Sequence, residues 1–520
     1  MEQKEEAKKT TNMSGKIVRK SIMNKYFQLL FSLSLLGIFF ISPVLSYDFS
    51  NYKNANGVLN VIVVPVEFAD TLGSSNITTL NKQVFENVSG YFQTVSYGKI
   101  SLIGEIYDSW ITLPENMSFY GYWGGENDHN TGAFRLIMDV IHYVDPLIDF
   151  SSYDFILIVH SGEDEAVSQN LTDIRSWGYW ENLGAKTQDD LIFNQGAVVS
   201  EFSSLGMFCH EFGHVLGLPD LYNTDKNSSI IFVGKWGLMG LGNHNGDPLG
   251  SKPTHIMGWG KMFLGWINTD QIVEINANQP KNFTIVPLEN GGNGIKLIRI
   301  LTESSDYFIC EFRIDKNLPE TGVLITRINE SLETGKGIVE VVDSNPLTSS
   351  LNDATLDVGD IYEDETNVFS VRVWDIVEND SATVEISNKF YLLVDVNLPK
   401  TVSTNEEFTV SVDISNLRGK PLEDLPVSIS CQGQKSQTTV SNSTGIAEFK
   451  LKFDLLDHGI KNIAVEVEGD GYYYSNYRSI QLDVAFSFEL ALAISIVLVI
   501  LVILLSVFLR KRTRKNPQVF

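Results

Sequence analysis

Residues Leu205 to Tyr222 read LGMFCHEFGHVLGLPDLY, and several of their side chains have the types and spacing needed to hold a metal ion. Residues four apart share a helical face, so His210 and His214 can present two imidazoles to one cation. Glu211 lies beside that pair, where it can take a proton from a water held by the ion. Gly217 lets the chain leave the helix in a tight turn, and Asp220 follows to return a carboxylate. The run HExxHxxGxxD therefore predicts a compact zinc site, with His210, His214 and Asp220 as ligands, Glu211 as general base and a fourth position left for water. The chemistry such a set supports is hydrolysis of a peptide bond.

The other candidates are weaker. His244 and His255 are runner-up third ligands, because neither has the short, fixed spacing of Asp220. His160 ends an apolar run and reads as a satisfied histidine at a strand terminus, while His129 and His142 have no partner spacing. Met239 stands in the glycine-flanked turn Leu238-Met239-Gly240, where a thioether can form an adaptable apolar floor beneath a metal site or simply fill a core. Cys209 adjoins a ligand but points about 100° around the helix from His210, which suits core packing. With Cys310 and Cys431 it makes a sparse, odd set that does not build a disulfide framework, although a Cys209–Cys310 bridge stays open.

Positioning these residues requires a scaffold. GVLNVIVVPVEF, ending at Phe68, is a continuous β-branched run and predicts a buried central strand. Thr79 to Tyr91 and Ala133 to Val144 have helical period, KISLIGEIYDSWITL suggests a strand or hairpin, and YDFILIVH predicts a second buried strand. Strands alternating with helices make an α/β sheet domain, with the metal helix packed against the sheet. The polar stretch from Gly162 to Ser204 is expected to be a loop region at the substrate rim.

Five stretches carry a family resemblance: VIVVPVEFAD, YFQTVSYGKISLIGEI, DFSSYDFILIVHSG, HEFGHVLGLPDLY and KWGLMG…PTHIMGWGKMFLGWI. In this order they resemble the peptidase domain of the immune-inhibitor-A family of secreted metalloproteases, over about Gly57 to Ile267. The resemblance implies a metzincin-like fold with zinc on His210, His214 and Asp220, Glu211 as base and Met239 beneath the metal. It also implies protein or peptide substrates. The sequence departs from the family where Tyr153-Asp154 runs straight into FILIVH, without the usual Asp-rich loop, so a calcium ion is a doubtful further cofactor.

Downstream, short β-type runs with turns predict a β-sandwich over 271–388, whose acidic loops read as solvated faces. Residues 389–486 resemble bacterial immunoglobulin-like surface repeats and predict a second sandwich. At the start, a basic segment meets YFQLLFSLSLLGIFFISPVLS, so 1–46 reads as a signal peptide, with an uncleaved signal anchor as the alternative. Residues 490–509 are apolar and uncharged, and the basic tail 510–520 follows at once, which predicts a transmembrane helix with its tail in the cytoplasm. The net charge of −25, with the bases gathered at the two ends, argues against nucleic-acid binding.

The expected molecule is thus an α/β metzincin-like zinc peptidase domain (47–270), two β-sandwiches and one C-terminal membrane anchor, with its ectodomain outside the cell. The rival expectation is a retired peptidase fold that serves as a cell-surface adhesion protein.

Overall fold

The computed structural model describes residues 56–121, 131–179, 187, 195–225, 227–345, 348, 350–454 and 457–514. The expected export segment and His129 lie outside them.

The first sheet is built on β1 (Gly57–Phe68), whose Val61, Ile62, Val63, Val64 and Val66 are almost wholly buried, as an unbroken apolar run requires of a strand covered on both faces. Beside it run β2 (Ile100–Ile106), β3 (Ile111–Leu113) and β4 (Phe155–His160), all parallel to it. The hairpin that the alternation in 99–113 allowed does not form. β2 pairs with the first half of β1 and β3 with its last three residues, so the chain steps along one edge without reversing. Beyond β4 lie β6 (Gly196–Ser200), parallel to it, and the short antiparallel β5 (Trp177–Tyr179). The order is β2-β1-β4-β6-β5.

Side chains alternate across such a sheet, and each face has its own cover. Ile62, Val64, Val66, Ile156 and Ile158 share a core with Leu136, Ile137, Val140 and Val144 of the helix Thr131–Val144. On the other face Phe155 meets Phe212 of the helix Leu205–Val215 at 4.8 Å between ring centroids, and Phe212 meets Phe92 at 4.9 Å. Phe92 belongs to a helical run from Ile77 to Val95 that includes a π-helical middle, Gln83–Val88.

The stretch from 162 to 204 corrects the sequence expectation, because it supplies two strands of the sheet as well as rim. GAVVS is fully buried as β6, and β5 is the outer strand of the sheet among the described residues.

The next nine strands are β7 (Ile272–Asn276), β8 (Lys281–Ile285), β9 (Leu297–Leu301), β10 (Tyr307–Arg313), β11 (Gly322–Ile328), β12 (Val339–Val341), β13 (Ile361–Asp364), β14 (Phe369–Val377) and β15 (Ser381–Ser387). They form one sheet of order β12-β11-β10-β9-β7 and another of order β13-β14-β15-β8, with a shared core that includes Ile298, Phe308, Val371 and Val384. Eight further strands between Leu393 and Ala485 make sheets of three and five around Val410, Val427, Phe449 and Val465. The last of them, Asn476–Ala485, is followed after two residues by the helix Phe488–Arg514. Ser487 donates its backbone N–H to Thr404 Oγ1 at 3.0 Å, which fastens the start of that helix to the β unit before it. Within it, Ala491–Lys511 is long and apolar enough to cross a membrane.

Candidate metal centre

The helix Leu205–Val215 begins at Ser204, whose hydroxyl accepts the Met207 N–H at 3.3 Å. It ends in a left-handed turn at Gly217, where φ is +95°. There Gly217 N–H donates to His214 O at 2.8 Å and Leu218 N–H to Gly213 O at 3.0 Å, the paired bonds of a Schellman stop. The same turn brings the Leu218 carbonyl to His214 Nδ1 at 2.8 Å. His210 Nδ1 meets the carbonyl of Leu238 at 3.1 Å. A carbonyl can only accept, so both Nδ1 atoms carry a hydrogen and each neutral ring keeps its lone pair on Nε2.

Both Nε2 atoms face Asp220 Oδ1, each at 3.2 Å. The three ligand atoms lie within 4.8 Å of one another, and among the described residues this is the group of histidine, cysteine and acidic side chains suited to a metal ion. Asp220 Oδ1 is buried, and no donor reaches it with hydrogen-bond geometry. Three lone pairs thus converge on one point, and a cation there would relieve their repulsion. The donor set of two imidazoles and one carboxylate fits zinc, and the two carbonyls would fix the ring tautomers from behind.

Burial pushes the Asp220 carboxyl up, but the hydrogen bonds and positive charge that His210 and His214 supply when they carry a proton on Nε2 outweigh it and hold the group well below the usual carboxylate range; a cation at the same point would act in the same sense. Glu211 is pushed up to about 7, chiefly by burial, with His210 pulling the other way. A bound dication would draw it down again. Glu211 and the three candidate ligands line a cleft of about 620 Å³ that Trp177, Met207 and Leu241 also border.

Met239 is 2% exposed beneath the helix, and a Cβ on Gly213 would come to 2.5 Å from its sulfur, so a larger residue there would push the thioether aside. Of the runner-up ligands, His244 borders the cleft but stands outside the ligand cluster. His255 is turned away, with its Nδ1 3.3 Å from Lys261 Nζ. His160 is buried at the end of β4 with Nδ1 2.9 Å from Ser161 O, and it does not line the cleft. Cys209, Cys310 and Cys431 are all buried free thiols, so the open Cys209–Cys310 bridge is not made.

Sequence reasoning missed Tyr222 and Arg175, which also border the cleft. Tyr222 stands two residues after Asp220, a spacing that could have flagged it. Burial raises its hydroxyl pKa, and the Asp220 charge raises it further. Arg175 sits in the polar stretch where no pattern marked it, 3.9 Å from Glu165.

Residues 154–267, which hold the whole cluster, match the family model for the immune inhibitor A peptidase M6 catalytic domain. The chain carries an M6 peptidase domain. Over 261 residues it is 24% identical to the pre-pro-metalloprotease PrtV of Vibrio cholerae serotype O1, covering 42% of this chain and 28% of that protein. Over 392 residues it is 25% identical to immune inhibitor A of Bacillus thuringiensis subsp. alesti, covering 65% of this chain and 54% of that protein. The chain therefore spans about half or less of these relatives. A CARDB domain from Pyrococcus furiosus aligns with 18% of the chain and 94% of its own length, at 18% identity and a TM-score of 0.16, too slight a likeness to inform the fold. Outside the M6 match lie β1, β2 and β3, although β1 pairs directly with β4 inside it, so the sheet extends beyond the matched segment.

Proposed function

We propose that the chain is a membrane-anchored extracellular zinc endopeptidase, with His210, His214 and Asp220 as ligands and Glu211 as general base. The observation that carries this reading is the convergence of two imidazole nitrogens and one buried carboxylate oxygen beside Glu211 in an open cleft. A zinc ion, when bound, would acidify a water and polarise the scissile carbonyl. Glu211 takes the proton of the attacking water and returns it to the leaving amine. Asp220 and the two histidines are oriented beforehand by the backbone, and Met239 floors the site. Trp177 of β5, the outer strand of the sheet among the described residues, borders the cleft, and an extended substrate pairs its backbone with that strand. The span 490–509 anchors the chain, 510–520 lies in the cytoplasm, 1–46 directs export, and the β units 271–388 and 389–486 stand between catalytic head and bilayer.

The Glu211→Gln variant tests this reading. It is expected to keep stoichiometric zinc while casein hydrolysis falls by about 10²–10⁴-fold. Undiminished turnover would remove Glu211 from the role of base. A zinc-free wild type with no chelator-sensitive cleavage of any protein would favour the adhesion reading instead.

A further inference from the structure

We infer that the loop between β11 and β12 is part of the metal centre, and that Thr334 is a positioning residue for Asp220. This rests on the proposed ligand role of Asp220. Asp220 follows the end of the site helix by several residues and belongs to no helix or strand, so nothing local fixes its carboxylate. Its backbone is instead held from outside. The Asp220 N–H donates to Thr334 Oγ1 at 2.9 Å, and the Asp220 carbonyl accepts the Gly335 N–H at 2.9 Å. The next residue, Leu221, donates its N–H to Met239 O at 2.9 Å. The peptide planes on both sides of the Asp220 Cα are therefore tied down, two bonds coming from the loop and one from the turn beneath the metal helix. With those planes fixed, side-chain rotation alone has to place Oδ1 in front of both imidazoles.

The loop is suited to this task. Gly335 has φ +67° and lies so close to Thr224 that any Cβ would overlap the threonine side chain, so the loop backbone packs directly on that side chain. Its carbonyl accepts the Thr224 N–H at 3.2 Å. At the near end, Glu330 Oε1 accepts from Trp259 Nε1 at 3.0 Å, which pins the loop to the helix Gly258–Phe263. Thr334 itself is exposed, so the core does not depend on its side chain. Asp220 and Thr334 are 114 residues apart in sequence, and the second comes from outside the segment matched by the peptidase family. The β unit after the catalytic head thus completes the geometry of the third ligand.

The experiment measures zinc affinity by competition with a chromogenic chelator, on the metal-stripped full chain in detergent. It compares wild type, Thr334→Val, Thr334→Ser and Asp220→Ala. Thr334→Val keeps the shape of the side chain and removes the acceptor, and zinc should bind about 10-fold more weakly. Thr334→Ser restores the acceptor and should bind as wild type does. A purely structural role would shift the melting temperature of Thr334→Val and leave metal affinity alone, and that result overturns the inference. Equal weakening in the serine variant overturns it too, because the hydroxyl would then be irrelevant. Asp220→Ala separates the two levels: wild-type affinity there defeats the ligand assignment itself, whereas lost affinity there with unchanged Thr334→Val defeats only the positioning role.

Discussion

Gly217 ties the fold of the candidate metal centre to a single backbone angle. At φ +95° it stops the helix, releases the chain toward Asp220 and sets the Leu218 carbonyl on His214 Nδ1. An L side chain in that region costs about 1–2 kcal/mol. The Gly217→Ala variant should therefore lose roughly that much stability in urea denaturation. Because the strain sits at the bond that fixes the His214 tautomer, zinc affinity should fall as well, and isothermal titration would read it. Unchanged affinity with lowered stability would mean that the ring is held by other means. His210 depends likewise on the Leu238 carbonyl, so both rings are steered by main-chain atoms that no pattern of side chains reveals.

At the scale of elements, the metal helix owes its place to Phe212, which is 2% exposed and wedged between Phe92 and Phe155. Removing such a ring leaves a cavity and costs about 3–5 kcal/mol. Phe212→Ala should lower the thermal midpoint by several degrees and, by loosening the helix against the sheet, weaken metal binding. A calorimetric scan of the zinc-loaded and metal-stripped forms checks both. How far these elements could be read in advance depended on how local their signals are. β1 and β4 announce themselves through unbroken apolar runs, and the helix Leu205–Val215 through the spacing of His210 and His214. GAVVS gives no local sign of β6, because five small and apolar residues carry no period and sit in a polar neighbourhood. The supposed hairpin at 99–113 failed for a related reason: parallel pairing to β1 is decided by a strand more than thirty residues away in sequence. The bond from Asp220 to Thr334 was beyond reach altogether, since its partners belong to separate runs and neither residue type signals the other.

Across the whole molecule, the α/β head and the β unit after it meet through buried charge. Lys261, wholly buried, donates to Tyr97 Oη at 3.0 Å and Leu288 O at 3.2 Å, with His255, Lys296, Glu289, Glu311 and Arg313 as charged or titratable surroundings. Arg313 in turn bonds Glu289 at 2.7 Å and Glu311 at 2.9 Å. Burial pulls the Lys261 pKa down to about 7 from 10.5, so between those values the unfolded chain holds more protons than the folded one. Stability from this group therefore rises as pH rises from about 7 towards 10.5, and is lost as pH falls back through 7. Denaturation of wild type and Lys261→Met at pH 7 and pH 9 should show wild type gaining on the variant at the higher pH. A parallel response in the two proteins would show that Lys261 is not the group responsible.

The other end of the chain has a mechanical consequence. Only Phe486 and Ser487 separate the last strand from the helix Phe488–Arg514, and two extended residues reach no more than about 7 Å. With that helix in a bilayer, the protein would have no leash. Its final β unit would stand on the lipid surface like a post in a floor, unable to swing outward after distant prey. Encounters would then be governed by what drifts past in the plane of the membrane or arrives at one fixed height above it.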